Sequence, residues 1–473
     1  MPREPPDAVG EEGNKKVWRS SLLICLSELF ERVAYYGILA NMAQRYHDQP
    51  NISWVFMAVA YILTFIGGWL ADIFNRFWII LTSLFIYMVG TDLLFMSSHL
   101  GGQSPDDSVS GLYVVGLTLV AIGTGGSKSN LGLFGAQQYK TSDGEVKIKL
   151  RNFFHWYYLS INVGGTIAVL GVASLYNFYP LDPVYGNVVI LVSVVLSSIV
   201  FVLGRIGNFY DPQQDSTREL LRRNAAGLFH NGTSRQQGAP QQSRAKTLKL
   251  MLIFATLIPY YAIYSQTQTT YPLQSDRLRM PYGWDGIYMS AINSVTILLM
   301  IPFMVIIVYP RLTAKGVKLA PMTLMGVGIL LSVLSVLAAA IVEAVLTAEL
   351  TVFVQVPQLV LSGISEVLTL TTGYYFAYTE APPGRKGTIM GAYLLVWGLG
   401  SAVSLGLRGL VDAICVAMCG SAACVPADLN KGQAEWYFIA LAVLLLATFV
   451  SVYSYMECQY RSEDTVQIQE EDN

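Results

Sequence analysis

Twelve apolar stretches run through the chain, each close to the roughly 20 residues a helix needs to cross a bilayer. They centre on residues 20–40, 54–72, 78–97, 112–134, 153–175, 187–206, 248–269, 286–308, 321–342, 352–376, 388–409 and 436–457. Met1–Lys16 is charged, holds three prolines and lacks an apolar run, so it does not read as a cleavable signal peptide and the first stretch counts as a span. Charge content agrees with a membrane chain. Only 13% of the 473 residues are charged and 53% are hydrophobic, with a mean hydropathy of +0.45, whereas a soluble domain carries about 25% charged residues. A soluble enzyme and a disordered chain are both disfavoured. The net charge of −2 leaves no footprint for nucleic acid, and the five cysteines lack the spacing of zinc ligands.

Six spans precede and six follow a polar segment, Arg205–Thr247, which contains the charged run Arg218–Arg223 and the Gln-rich patch Gln236–Gln242. The expected layout is therefore an all-α membrane protein. It has a cytoplasmic tail over 1–19, a six-helix bundle over 20–206, a cytoplasmic linker over 207–247, a second six-helix bundle over 248–457 and an acidic tail over 458–473. The linker offers a short amphipathic helix at Ser216–Phe229. Placing both termini inside puts 23 of the 30 Lys and Arg residues on the cytoplasmic side and five on the opposite side, as the positive-inside rule requires. The remaining two, Arg32 and Lys128, lie within spans one and four, where a cation must face a cavity or a partner.

Four acids, Glu28, Glu31, Asp92 and Glu366, also lie well inside spans, with Asp72 at an inner border. Residues 28, 31, 32 and 35 follow the i, i+3, i+4, i+7 rule, so Glu28, Glu31, Arg32 and Tyr35 share one helical face. Such a face lines a polar cavity in which a carboxylate beside a cation can gain and lose a proton; the alternative is a self-neutralised structural cluster. Span four carries Gly123-Thr124-Gly125-Gly126-Ser127-Lys128, where the glycines permit close helix approach and Lys128 can pair with a carboxylate or an anionic ligand group. Span ten supplies an opposite charge in Gly363-Ile364-Ser365-Glu366, with Tyr374 two turns further on.

These motifs carry a resemblance. Gly67-Gly68-Trp69-Leu70-Ala71-Asp72 followed by Arg76 resembles the loop between helices two and three of the major facilitator superfamily, with Asn75 where glycine is usual. Glu28-Leu29-Phe30-Glu31-Arg32 ahead of Tyr35-Tyr36-Gly37 resembles the ExxER signature of proton-coupled oligopeptide transporters (solute carrier family 15). Phe154 to Gly165 resembles that family's fifth-helix signature, departing at Thr166. Leu257-Ile258-Pro259-Tyr260, Gln266 to Gln274 and Gln355 to Glu366 look closest to its peptide/histidine branch, as does the short loop between spans nine and ten.

The resemblance implies a major facilitator fold of 12 transmembrane helices and a proton-coupled symporter of di- and tripeptides and L-histidine, working by alternating access. Carried over by position, it implies that Arg32, Tyr35, Tyr36, Tyr61, Lys128, Asn162, Asn293 and Glu366 bind substrate. Glu28, Glu31 and Arg32 are implied in proton coupling, and Lys128 with Glu366 in the inner gate. The chemistry suits a zwitterionic peptide, whose carboxylate needs cations and whose ammonium needs an acid. No cofactor or metal is expected beyond the co-transported proton. The expected partners are peptides, histidine, the lipid bilayer and a candidate cytoplasmic adaptor.

Departures from the family pattern shape these expectations. The positions of the outer salt bridge fall at Leu39 and near Ser265, so both of its charges are absent together. The second-helix histidine of intestinal-type relatives falls at Val55, and none of His47, His99, His155 and His230 lies deep in a span, so coupling is expected to rest on carboxylates. Asp92 matches no family position and reads as either a further titrating site or a cavity-facing polar residue. Asn51-Ile52-Ser53 abuts span two and Asn231-Gly232-Thr233 lies in the linker, so neither sequon is expected to be glycosylated. Cys415, Cys419 and Cys424 share one outer loop, where one disulfide or simple burial are the alternatives. The branch resides in endosomal and lysosomal membranes, yet the N-terminal tail shows no acidic-dileucine signal, which leaves the plasma membrane as the other location. Two other functions fit the same charges: a facilitator of another small zwitterion or organic anion, and a nutrient sensor or scaffold on a transporter fold that binds partners through its linker and Glu470-Glu471-Asp472.

Overall fold

Helices make up almost all of the described backbone of the computed structural model, which covers residues 6–45, 51–100, 111–139, 144–172, 174–175, 184–210, 239–282, 286–317, 319–346, 349–419 and 434–454. In order they are α1 (Pro6–Arg45), α2 (Asn51–Ile73), α3 (Arg76–Leu100), α4 (Gly111–Ala136), α5 (Gly144–Ile167), α6 (Val184–Ile206), α7 (Ala239–Ala255), α8 (Ile258–Tyr264), α9 (Thr270–Ser275), α10 (Gly286–Pro302), α11 (Tyr309–Ala314), α12 (Pro321–Ala344), α13 (Val356–Glu366), α14 (Thr372–Glu380), α15 (Lys386–Cys419) and α16 (Glu435–Thr448). Among the described residues eight helical stretches are long and apolar enough to cross a membrane, and Glu435–Ser451 is a shorter apolar helix. The apolar run of α1 stands outside that group because it carries Glu28, Glu31 and Arg32. The linker helix expected at Ser216–Phe229 lies outside the described residues, as do His47 and His230.

The chain divides into two compact units, one of Met1–Thr247 with Ala377–Leu395 and one of Leu248–Phe376 with Val396–Asn473. In the first, α4 is the central rod, buried at every residue from Gly123 to Ala136. Its glycines decide how close its neighbours come. A Cβ on Gly67 would lie 2.7 Å from the Gly125 carbonyl and 2.7 Å from the Gly126 Cα, so α2 and α4 cross backbone to backbone only because no side chain intervenes there. Likewise a Cβ on Gly164 would meet the Leu29 carbonyl at 2.5 Å and the Arg32 Cβ at 2.8 Å, which brings α5 directly against the charged face of α1. One end of the unit is closed by stacked rings, Phe77 on Phe201 at 5.1 Å and Phe134 edge-on to Tyr210 at 4.9 Å.

The second unit is less regular. Span seven is three pieces, α8 and α9 joined through a 3-10 turn at Ser265–Gln268 and preceded by α7. Pro259 in the first turn of α8 is tolerated there because it removes an N–H that the helix start leaves unpaired. Glutamines hold the pieces in place. Gln266 donates to Ser404 at 2.8 Å and accepts from Thr270 at 2.8 Å. Gln274 donates to Glu343 at 2.8 Å and accepts from Gln355 at 2.8 Å and Gln358 at 3.0 Å, while Arg277 completes the group with an ion pair to Glu343. Span ten runs as α13, a π-helical segment at Val367–Thr371 and α14. A π segment inserts an extra residue into the helical ladder and often marks a functional position; here it begins directly after Glu366.

Candidate functional site

In the first unit, the face predicted from helical spacing is present. The Arg32 guanidinium donates through Nε to Glu28 Oε1 at 3.0 Å and pairs through Nη2 with Glu31. All three side chains are at most 1% exposed. A second helix completes the cluster, since the Tyr157 hydroxyl of α5 donates to Glu28 Oε2 at 2.7 Å. The close approach at Gly164 is what puts Tyr157 within reach of α1. On the opposite side, Lys128 of α4 donates to the Tyr61 hydroxyl of α2 at 2.8 Å, a contact made possible by the α2–α4 glycine crossing. Lys128 Nζ also lies 4.6 Å from the centre of the Tyr35 ring, and the Arg32 Cζ lies 5.1 Å from it. Both cations thus lie over the Tyr35 ring, whose electron-rich face attracts them. Two cations and two carboxylates of one bundle are therefore gathered in one buried cluster, and the group is neutral in formal charge.

Tyr36 is half-buried and meets Tyr35 edge-on at 5.5 Å. Asn162 is half-buried on α5, where its amide donates to the Tyr158 carbonyl of its own helix at 3.0 Å and Thr166 donates to the Asn162 carbonyl at 2.8 Å. Thr166, the departure from the fifth-helix pattern, is accommodated as an ordinary back-bonded helix residue. His155, expected at the border of its span, is fully buried midway along α5, and its Nδ1 lies 2.9 Å from the Arg151 carbonyl.

The second unit gathers a different set around Glu366. Asn293 of α10 donates to Glu366 Oε2 at 3.0 Å, and the Tyr264 hydroxyl of α8 meets Oε1 at 3.2 Å. Tyr264 is itself positioned by Trp397 of α15, edge-on at 4.8 Å. The structure thus brings together Asn293 and Glu366, which the family resemblance singles out, and adds Tyr264, which the sequence does not single out. Ser265, at the family's missing outer acid, donates to the Ala262 carbonyl at 2.8 Å and accepts from Gln266 at 3.1 Å, so a neutral hydroxyl fully engaged in its own helix stands where the charge would be.

Asp72 is a capping group. Its carboxylate accepts the backbone N–H groups of Gly387 and Thr388 at 2.7 Å each and the Thr388 hydroxyl at 2.9 Å, at the start of α15, and it pairs with Arg76 at 3.1 Å. Negative charge at a helix N-terminus satisfies unpaired donors and complements the helix dipole. Arg76 continues to Asn130 of α4 at 3.1 Å, and Asn130 donates to the Gly67 carbonyl at 3.0 Å. Asn75, unusual for the motif, accepts from the Phe77 N–H at 3.0 Å, the N-cap bond that glycine could not make.

The profile of the POT family matches residues 77–231 and 213–423. The chain belongs to the POT family. It is 27% identical to "Solute carrier family 15 member 3" of Rattus norvegicus, over 95% of this chain and 93% of that protein. It is 24% identical to "Protein NRT1/ PTR FAMILY 8.1" of Arabidopsis thaliana, over 95% of each. Among solved structures it resembles the POT family transporter PepTSo, with a TM-score of 0.68 and 21% identity, covering 94% of this chain and 98% of that one. It also resembles an auto-inhibited POT family peptide transporter, with a TM-score of 0.67 and 21% identity over 93% and 97%. The fold of this POT chain is therefore the major facilitator arrangement of 12 helices in two six-helix bundles. It is a multi-pass membrane transporter, not an enzyme, and the family needs no cofactor.

Asp92 lies exposed on α3, on the same stripe as Phe85, Val89 and Met96. Cys25 is a free, buried thiol and Cys415 is disulfide-bonded, while Cys424 lies outside the described residues.

Proposed function

We propose that this POT chain is a proton-coupled symporter of di- and tripeptides and of L-histidine, working by alternating access. The observation that carries the reading is the pairing of one guanidinium with two buried carboxylates, Glu28–Arg32–Glu31, inside a membrane helix. With both acids ionised, Arg32 is occupied by its own helix. Protonation of Glu28 or Glu31 from the acidic side removes one of its anionic partners, and the freed donors take the substrate carboxylate, which guanidinium holds best through two parallel bonds. Binding an anion is then linked to taking up a proton, which is the condition for symport.

Lys128, with Tyr61 and Tyr35 beside it, adds a second cation for the same carboxylate. Tyr36 and Asn162 are assigned to the amide of the peptide, and Asn293 and Glu366 to its ammonium end. Lys128 and Glu366 also serve as the charges of the inner gate. The linker and acidic tail are cytoplasmic, with both termini inside, in an endosomal or lysosomal membrane or the plasma membrane, and the linker is the surface for a cytoplasmic adaptor.

Uptake into proteoliposomes tests the coupling. Glu31→Gln is expected to abolish accumulation driven by a proton gradient while leaving peptide exchange across the membrane in place. Gradient-driven accumulation by Glu31→Gln would overturn the scheme. Mutual competition between labelled histidine and an unlabelled dipeptide is expected if both use this site; histidine uptake indifferent to dipeptide would remove histidine from the proposal.

A further inference from the structure

Asp92 belongs to no part of the site described above, and its surroundings are unusual for a carboxylate. Helix α3 is 25 residues long, roughly 37 Å, and Asp92 lies about 6 Å from its midpoint toward the Leu100 end. That depth is inside the hydrocarbon of a bilayer about 30 Å thick. The side chain is exposed, in line with Phe85, Val89 and Met96, which are 58%, 37% and 43% exposed; the spacing of four, three and four residues keeps all four on one face. Among the described residues no hydrogen bond or ion pair to Asp92 is found. Its helical neighbour Thr91 is turned inward and satisfied by the Met88 carbonyl at 2.8 Å. An ionised or even a neutral carboxyl group facing acyl chains is disfavoured, and such residues normally meet a partner.

The chemistry of the stripe limits what that partner is. Copies joined face to face through α3 would oppose Asp92 to Asp92, and the cations within spans are not free to meet it: Arg32 and Lys128 are buried, and Arg408 of α15 is half-buried and engaged within its own chain. Nor can the loop that follows serve, since residues 101–110 contain no cation. We propose that the outer face of α3 is a docking surface for a membrane-spanning helix of a different protein, one bearing a lysine or arginine at the depth of Asp92 on an otherwise apolar face. Phe85, Val89 and Met96 supply the packing surface, with the flexible Met96 adapting to the partner's shape, and Asp92 supplies the ionic contact. A charged pair buried in lipid fixes register as well as partner, because every other alignment leaves two charges unmatched.

The full-length chain, labelled with a donor fluorophore and reconstituted in lipid vesicles, tests this against acceptor-labelled synthetic transmembrane peptides. One peptide is a leucine-rich helix with a single central lysine; its controls carry leucine or glutamate there. The lysine peptide is expected to associate about tenfold more strongly than the leucine peptide, a preference of the size that one polar contact confers between helices in lipid, and the glutamate peptide no better than leucine. Asp92→Asn is expected to erase the preference while leaving peptide uptake unchanged. Equal association of the lysine and leucine peptides, or a lysine preference that survives Asp92→Asn, overturns the proposal. Energy transfer between two labelled copies that Asp92→Asn abolishes, with no lysine preference, would identify the occupant as a second copy and equally overturn it.

Discussion

The charged cluster of the first unit and that of the second meet the problem of buried charge by different chemistry. Around Arg32, charge is met by charge: two carboxylates on one cation, a phenol on one carboxylate, and Lys128 resting on Tyr61 and Tyr35. Around Glu366, by contrast, the donors described are neutral, the amide of Asn293 and the phenol of Tyr264. A cluster bound by opposite charges is sensitive to the loss of any one member, because the remaining ones are left uncompensated in a low dielectric. A carboxylate held by neutral groups can change its protonation state without orphaning a charge. Proton coupling in the first half should therefore be tied to stability, whereas in the second half function and stability should separate.

The largest effect is expected from Arg32→Met, which strands two carboxylates. The loss of stability should be about 3–5 kcal/mol, read as a fall in the thermal midpoint of the purified protein, with uptake abolished. Next, Tyr157→Phe removes one donor to Glu28 and should cost about 1.5–3 kcal/mol, the range for a hydrogen bond to a charged group. Tyr264→Phe, which deletes a longer bond to Glu366, should cost less than Tyr157→Phe in the same measurement; a larger cost would invert the contrast. The smallest stability effect belongs to Glu366→Gln. Its amide oxygen still accepts from Asn293 or Tyr264, so stability should change by less than about 1 kcal/mol while peptide uptake is lost. A thermal midpoint falling as far as that of Arg32→Met would show that Glu366 lives in the same kind of charge cluster after all.

Much of the first half was readable from spacing alone. Residues 28, 31, 32 and 35 share a face because a helix repeats every 3.6 residues, and a stretch inside the membrane admits no other regular structure so readily. The glycines of α4 likewise announced close packing, although not that Gly67 would be the opposing surface. Bonds between distant segments were not legible: Tyr157 reaches Glu28 across 129 residues and Tyr264 reaches Glu366 across 102, and no local pattern encodes such a pair. Asp92 shows a different limit. Span three is apolar on all sides, so its period does not distinguish the inward face from the outward one, and an acid on it could be assigned to either. In span seven, read as one apolar stretch over 248–269, neither the break into pieces nor the role of the glutamines that tie those pieces to α12, α13 and α15 was legible.

The cap formed by Asp72 has a consequence in time. Its backbone donors at Gly387 and Thr388 lie 315 and 316 residues further along the chain. At the usual rates of synthesis, about 5–20 residues per second, a carboxylate at the edge of span two waits roughly 16 to 60 seconds for them. Arg76, four residues away and paired with it at 3.1 Å, is the partner available throughout that interval. The short ion pair is thus the provisional keeper of a long-range contact, holding an acid in place during insertion until the start of α15 has been made.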